Sequence, residues 1–188
     1  MRPSLMPSSI ARIAVGLAVG CLLSAGAASA DDSPKVFGWV EKAELKPWDI
    51  MVKAKLDSGA LTSSLDARDI ERFEKDGDDW VRFRFEMEDE DTGEEASEDV
   101  ERPLYRILTV RGAGGRDERP VVLLNLCVGD TVYEEQFSLR NRGKMNYPVL
   151  LGRRTISHLG HLDVRKTFEH DADCGEDANV VEHEPEDD

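Results

Sequence analysis

Two separated stretches carry residue types from which hydrolytic chemistry could be built. Asp57-Ser58-Gly59-Ala60 ends an apolar-alternating segment, Ile50 to Leu56, and leads into Leu61-Thr62-Ser63-Ser64-Leu65. Far downstream comes Tyr147-Pro148-Val149-Leu150-Leu151-Gly152-Arg153-Arg154. A carboxylate on a tight Ser-Gly turn is held rigidly, because Gly lets the backbone turn without a Cβ in the way. Set against a second carboxylate with which it shares a proton, such an acid can activate water toward a peptide carbonyl. One segment supplies one Asp, and the chemistry requires two.

The chain contains a second Asp-hydroxyl-Gly triplet, Asp91-Thr92-Gly93. It lies inside the acidic run Glu86 to Glu101, with no apolar segment to fix its carboxylate and many like charges around it. That context reads as a solvated loop. The stretch between the two triplets is also too short to build a separate lobe with its own core. Asp57 is therefore the candidate catalytic residue, with Ser58, Gly59, Ala60, Gly152 and Arg153 as its support, and Asp91 is set aside.

Other chemistries find less in the sequence. There is no His-Glu-x-x-His and no Gly-rich phosphate loop ending in Lys-Ser/Thr. His158 and His161, with His170 and Cys174 further on, are the remaining metal-ligand types, but two of the four fall in an acidic tail and zinc needs three or four ligands on ordered backbone. The expectation is no metal and no other cofactor, with His158 and His161 edging a turn. The formal net charge of −15 argues against a nucleic-acid partner, since phosphate binding rests on clustered Lys and Arg.

The elements that must position Asp57 read as short strands. Val36 to Val40, Ile50 to Leu56, Val81 to Met87, Leu104 to Val110, Val121 to Val128, Val132 to Leu139, Val149 to Leu151 and Leu162 to Val164 are predicted strands. Gly129-Asp130 makes a hairpin. Asp66 to Glu74, with an Asp N-cap and with Ile70 and Phe73 on one face, predicts a short helix, and Arg154 to Leu159 at most one or two helical turns. The class is all-β, a small closed barrel with one or two short helices.

The N-terminal residues have the three parts of a secretory signal: Arg2 and Arg12, the apolar Ile13 to Leu23, and Ala28-Ser29-Ala30. Cleavage after Ala30 is expected, giving a periplasmic or secreted protein without stable membrane insertion; lipidation at Cys21 is the competing reading. The expected domains are thus a signal peptide over 1–30, a barrel over 31–168, and a disordered acidic tail over 169–188. The mature chain keeps Cys127 and Cys174. A disulfide is open to them in an oxidising compartment, but Cys127 reads as a buried strand thiol and Cys174 as part of the mobile tail.

Five blocks in order carry a family resemblance: Phe37-Gly38-Trp39-Val40-Glu41, Lys53 to Leu65, Trp80-Val81-Arg82-Phe83, Arg119-Pro120-Val121-Val122 and Met145 to Arg154. Together they resemble the bacterial retropepsin-like aspartic peptidases, a family often labelled an ATP-dependent zinc protease. The resemblance implies a homodimeric acid-protease barrel acting on a peptide or protein substrate, with Asp57 of each subunit meeting at the two-fold axis and Gly152-Arg153 packing beneath the Asp turn. Ser58 stands where Thr is commoner, which keeps a hydroxyl behind the carboxylate. Leu61 replaces an Asp with which Arg153 would pair, so the dimer tie of Arg153 is open. A flap must cover the cleft: the hairpin from Val81 to Val110, with the acidic run at its tip, is the first candidate and Gly112 to Gly115 the alternative. An acidic flap would favour basic or neutral peptides. The rival reading is a non-catalytic periplasmic module that grips a peptide or protein on the same fold.

Overall fold

The computed structural model describes residues 34–112 and 115–185. The predicted signal peptide, its cleavage site and Cys21 lie outside the described residues. Within them the protein is all-β with one short helix. In chain order the elements are β1 (Val36–Gly38), β2 (Val40–Lys46), β3 (Ile50–Leu56), β4 (Ser63–Asp66), β5 (Arg68–Lys75), β6 (Asp78–Glu88), β7 (Glu95–Pro103), β8 (Arg106–Gly112), β9 (Gly115–Val128), β10 (Thr131–Arg140), β11 (Val149–Leu151), α1 (Arg153–Leu159), β12 (His161–Asp163) and β13 (Asn179–Val181).

The main sheet runs β13-β10-β4-β11-β3-β2-β9-β8, and β10 also pairs with β9. That extra pairing closes β10, β4, β11, β3, β2 and β9 into a ring, so the strands that flank Asp57 sit in a barrel wall with few free edges. Inward positions alternate with outward ones along each strand and fill the interior with Leu45, Val52, Leu65, Leu126, Phe137 and Leu151, all essentially solvent-free. A separate sheet, β5-β6-β7, turns Val81, Phe83, Phe85 and Met87 of β6 inward while Arg82 and Arg84 stay outside against Glu101 and Asp99. Trp48 meets Phe85 edge-on with ring centroids 5.1 Å apart. Each buried Phe contributes about 2 to 3 kcal/mol by area removed from water.

Two segments depart from the sequence expectations. The predicted helix Asp66 to Glu74 is instead the end of β4 and an edge strand, β5. Asp66 is no N-cap: it is buried, and its Oδ1 accepts the Arg142 N–H. A β-bulge between Arg68 and Glu71, with Asp69 at φ 51°, breaks the two-residue alternation and leaves Ile70 and Phe73 three apart, a spacing that imitates a helix face.

The second departure is the tail. Cys127 and Cys174 form a disulfide, so neither the buried free thiol nor the disordered acidic tail describes the C-terminal segment. Glu41, fully buried, accepts the backbone N–H groups of Gly38, Glu169 and His170 at 2.5, 3.2 and 3.2 Å. Beyond the disulfide, β13 pairs in parallel with Thr131–Tyr133 of β10. Acidity discourages apolar burial but leaves backbone pairing open, and a covalent tie with a buried acceptor supplies the hold. Among the described residues, no helix is long and apolar enough to cross a membrane.

Candidate active site

Asp57 stands where β3 leaves the barrel wall. Its approach is fixed on both sides: the Leu56 N–H donates to Trp39 O at 2.9 Å, and the Asp57 N–H donates to Leu151 O at 2.8 Å. Beyond it the chain turns on itself. The Ala60 N–H donates to Asp57 O at 3.1 Å, and the Gly59 N–H donates to the Asp57 carboxylate, Oδ1, at 2.9 Å. The other oxygen, Oδ2, lies 3.5 Å from Lys55 Nζ, and the side chain keeps 29% of its exposure. The acid is thus anchored through one oxygen, while the other faces Lys55 on a partly exposed side chain.

Gly152 and Arg153 pack against the segment that leaves Asp57. A Cβ at Gly152 would come within 2.6 Å of Leu61 O, so only glycine allows this approach. The Arg153 N–H donates to Ala60 O and the Arg154 N–H to Leu61 O, two rungs that clamp the segment leaving Asp57. The Arg153 guanidinium donates from Nη1 to Ser58 O at 2.9 Å. Ser58 is exposed, and it is its carbonyl rather than its hydroxyl that is engaged.

A groove of about 510 Å³ begins three residues past Asp57, at Ala60, and is walled by the β8–β9 hairpin. Among the described residues, five arginines line it, Arg106, Arg111, Arg119, Arg142 and Arg154, and no acidic side chain does. Arg106 is oriented by Gln136 Oε1 and Thr62 Oγ1, Arg119 by Asp117. Burial and then the neighbouring Arg140 pull the Arg142 guanidinium below its ordinary value, against the opposing pull of Asp66. Ser64 Oγ, also on the groove wall, is buried without a hydrogen-bond partner among the described residues. Sequence reasoning missed this basic concentration, because its members come from β8, β9, the loop after β10 and α1.

The acidic run sits elsewhere. Asp89 Oδ2 accepts the Met51 N–H at 2.9 Å and the Glu90 N–H donates to Met51 O, while Asp91 pairs with Lys42 and Glu90 with Lys53. Met51 is the second residue of β3 and Asp57 follows its end, so the tip of the β6–β7 hairpin is docked toward the far end of that strand from the candidate acid. The expected solvated flap over the cleft is corrected by these bonds, and with it the inference of a preference for basic peptides. Asp91 itself is half exposed and serves an ion pair.

The four metal-ligand types go to separate tasks. His158 bonds Glu135, His161 is exposed on β12, His170 stacks on Phe37 and bonds Val36 O, and Cys174 is in the disulfide. Glu135 is a site residue that sequence reading passed over. It stands inward between Tyr133 and Phe137 on β10, and that alternation is the signal which could have found it. His183, in the tail, bonds the Tyr105 hydroxyl and Gln136, so the segment after β13 borders the arginine groove.

Comparison with known proteins agrees with this geometry. The model of a family described as RimB-like, retropepsin-like aspartic endopeptidase, matches residues 36–172. Curated relatives named probable alpha-L-glutamate ligase are 30% identical over 118 residues in Shewanella pealeana and 31% over 130 residues in Desulfotalea psychrophila. These matches cover 62% and 68% of this chain, which spans about a quarter of the length of those relatives, 25% and 28%. The crystal structure of Lpg0085 from Legionella pneumophila, a protein of unknown function, is 34% identical with a TM-score of 0.61, covering 73% of this chain and 98% of that one. The zinc-protease label attached to the resemblance is not the description these matches bear.

Proposed function

Because the chain belongs to the RimB-like family of retropepsin-like aspartic endopeptidases, we propose that it hydrolyses peptide bonds with a dyad of Asp57 residues, one from each of two copies. Two carboxylates a few ångströms apart cannot both ionise, so they share a proton. One takes a proton from the water that attacks the peptide carbonyl. Its partner protonates the carbonyl oxygen, and the leaving amine is protonated as the intermediate collapses. The observation that carries this reading is the fixed turn: Asp57 anchored by the Gly59 N–H and clamped from behind by Gly152 to Arg154, with its side chain partly exposed. Exposed Leu61 and the edge-packed pair Trp39 and Tyr147 offer the surface on which a second copy would seat.

The β8–β9 hairpin, as a groove wall, is the flap of this reading, and the substrate is a carboxylate-rich peptide. On the groove wall the exposed Arg111 would oppose a basic peptide and pair with a glutamate side chain. Relatives named for glutamate ligation handle the same chemical class. The leader pattern ending at Ala30 supports a periplasmic or secreted site of action.

The test compares wild type with Asp57→Asn on glutamate-rich and lysine-rich peptides, with and without chelator, alongside sedimentation of the mature protein. Cleavage of the acidic peptide by a wild-type dimer only, unaffected by chelator, supports the proposal. Equal cleavage by both proteins removes Asp57 from the mechanism, and full activity in a monomer removes the dyad. Tight binding without cleavage in both would make the protein a peptide-gripping module.

A further inference from the structure

Glu135 is a carboxylate at a position where the barrel is otherwise apolar, 2% exposed between Tyr133 and Phe137. A buried charge costs several kcal/mol unless its oxygens are satisfied. Both are. Oε1 lies 2.6 Å from His158 Nδ1, and Oε2 accepts the Thr155 hydroxyl at 3.0 Å.

The direction of the remaining bonds follows from proton counting. Thr155 has one proton and gives it to Glu135, so in its 2.7 Å contact with Ser63 Oγ it is the acceptor and Ser63 the donor. Ser63 Oγ in turn accepts the Gly152 N–H at 3.0 Å. Ser63 and Thr155 are each 1% exposed. A directed relay therefore runs from a half-exposed imidazole, through a buried carboxylate and two buried hydroxyls, to the backbone of the glycine that clamps the Asp57 segment. Ser63 also begins β4, the strand that the turn after Asp57 feeds. The relay thus grips that segment from both sides, at Ser63 and through Gly152.

We propose that Glu135, Thr155 and Ser63 are positioning residues for Asp57: the buried carboxylate orients the two hydroxyls, which hold Gly152 against Leu61 and so fix the loop that carries the acid. This rests on the aspartic-peptidase reading for its kinetic consequence, though not for its mechanical one. Neither hydroxyl touches substrate. Their effect is on the reacting geometry, where a displacement of about 1 Å costs about 100-fold in rate.

The experiment uses Thr155→Val, which keeps the shape and removes the hydroxyl, with Thr155→Ser as the conservative rescue and Ser63→Ala as a second break should the valine variant not fold. Activity on the acidic peptide is measured per folded molecule, and amide exchange is followed at residues 59–63 and 151–154, with the β6–β7 hairpin as internal reference. The expected result is a fall in kcat of about 10- to 100-fold with KM within about twofold. Exchange at both segments should accelerate about tenfold or more while the hairpin is unchanged, and Thr155→Ser should return both readouts to near wild type. Unchanged kcat and unchanged exchange in Thr155→Val and Ser63→Ala would overturn the proposal, as would a uniform acceleration across the whole protein, which marks mere destabilisation. Should wild type cleave nothing, the peptidase reading fails on its own, and local exchange alone decides whether the relay holds the loop.

Discussion

Asp57-Ser58-Gly59 and Asp91-Thr92-Gly93 are nearly the same tripeptide in two unlike settings. The first ends a barrel strand, is bonded through its backbone to Leu151 and through its carboxylate to Gly59, and is pressed from behind by Gly152 to Arg154. In the second, the organising acid lies outside the triplet: Asp89 accepts the Met51, Asp91 and Thr92 N–H groups and the Thr92 hydroxyl, leaving Asp91 to an exposed pair with Lys42. A motif of three residues specifies a turn. What makes the first turn a candidate site is the glycine-arginine segment packed beneath its acid, whereas the second is tied to the start of β3 through the flanking Asp89 and Glu90.

That contrast can be broken in graded steps. The largest effect is expected of Asp57→Asn, which should lower cleavage by about 10³-fold or more in a steady-state peptide assay while leaving the melting temperature close to wild type. Next, Arg111→Glu on the groove wall should reduce kcat/KM for a glutamate-rich peptide by about tenfold, and added salt should shrink the difference between the two proteins. An equal loss on a neutral peptide would show that the arginine acts through the fold.

Stability changes should then separate supports from sites. Replacing Cys127 and Cys174 by serine opens a loop spanning 47 residues and should cost up to about 4 kcal/mol in denaturant unfolding, with protease sensitivity appearing first in residues 169–185. Asp89→Asn should cost about 1 kcal/mol. Its pH signature has a definite sign. Hydrogen bonds, first from the Met51 N–H and then from Thr92 and Asp91, hold the Asp89 carboxyl below its ordinary value. Its stabilisation is therefore complete above about pH 4 and is lost as pH falls from there through the depressed folded value. Melting curves from pH 6 to pH 2 should show a shallower acid loss in the variant. Asp91→Asn comes last, with activity within about twofold and stability within about 0.5 kcal/mol, as for exposed ion pairs.

The strands around Asp57, the all-β class and the pairing of Gly152-Arg153 with the Asp turn were legible in the sequence because each rests on a local period or on spaced blocks. The β5 edge strand was not, since its bulge replaces the two-residue rhythm by a three-residue one. Nor was the anchored tail, whose hold comes from Glu41 and Cys127, far away in the chain. The arginine groove illustrates the general limit: Arg106, Arg111, Arg119, Arg142 and Arg154 each look like ordinary surface cations in a chain of strongly acidic balance, and barrel closure alone gathers them. A net charge is a sum over the chain and carries no information about where its cations gather.

The parallel pairing of Val36–Gly38 with His161–Asp163 has a bearing on synthesis. The first of the described strands finds its neighbour only when residues 161–163 have been made, and Glu41 waits for Glu169 and His170 to emerge behind it. Until those segments emerge, half-formed strand edges stay open, so this topology is suited to closing its sheets late.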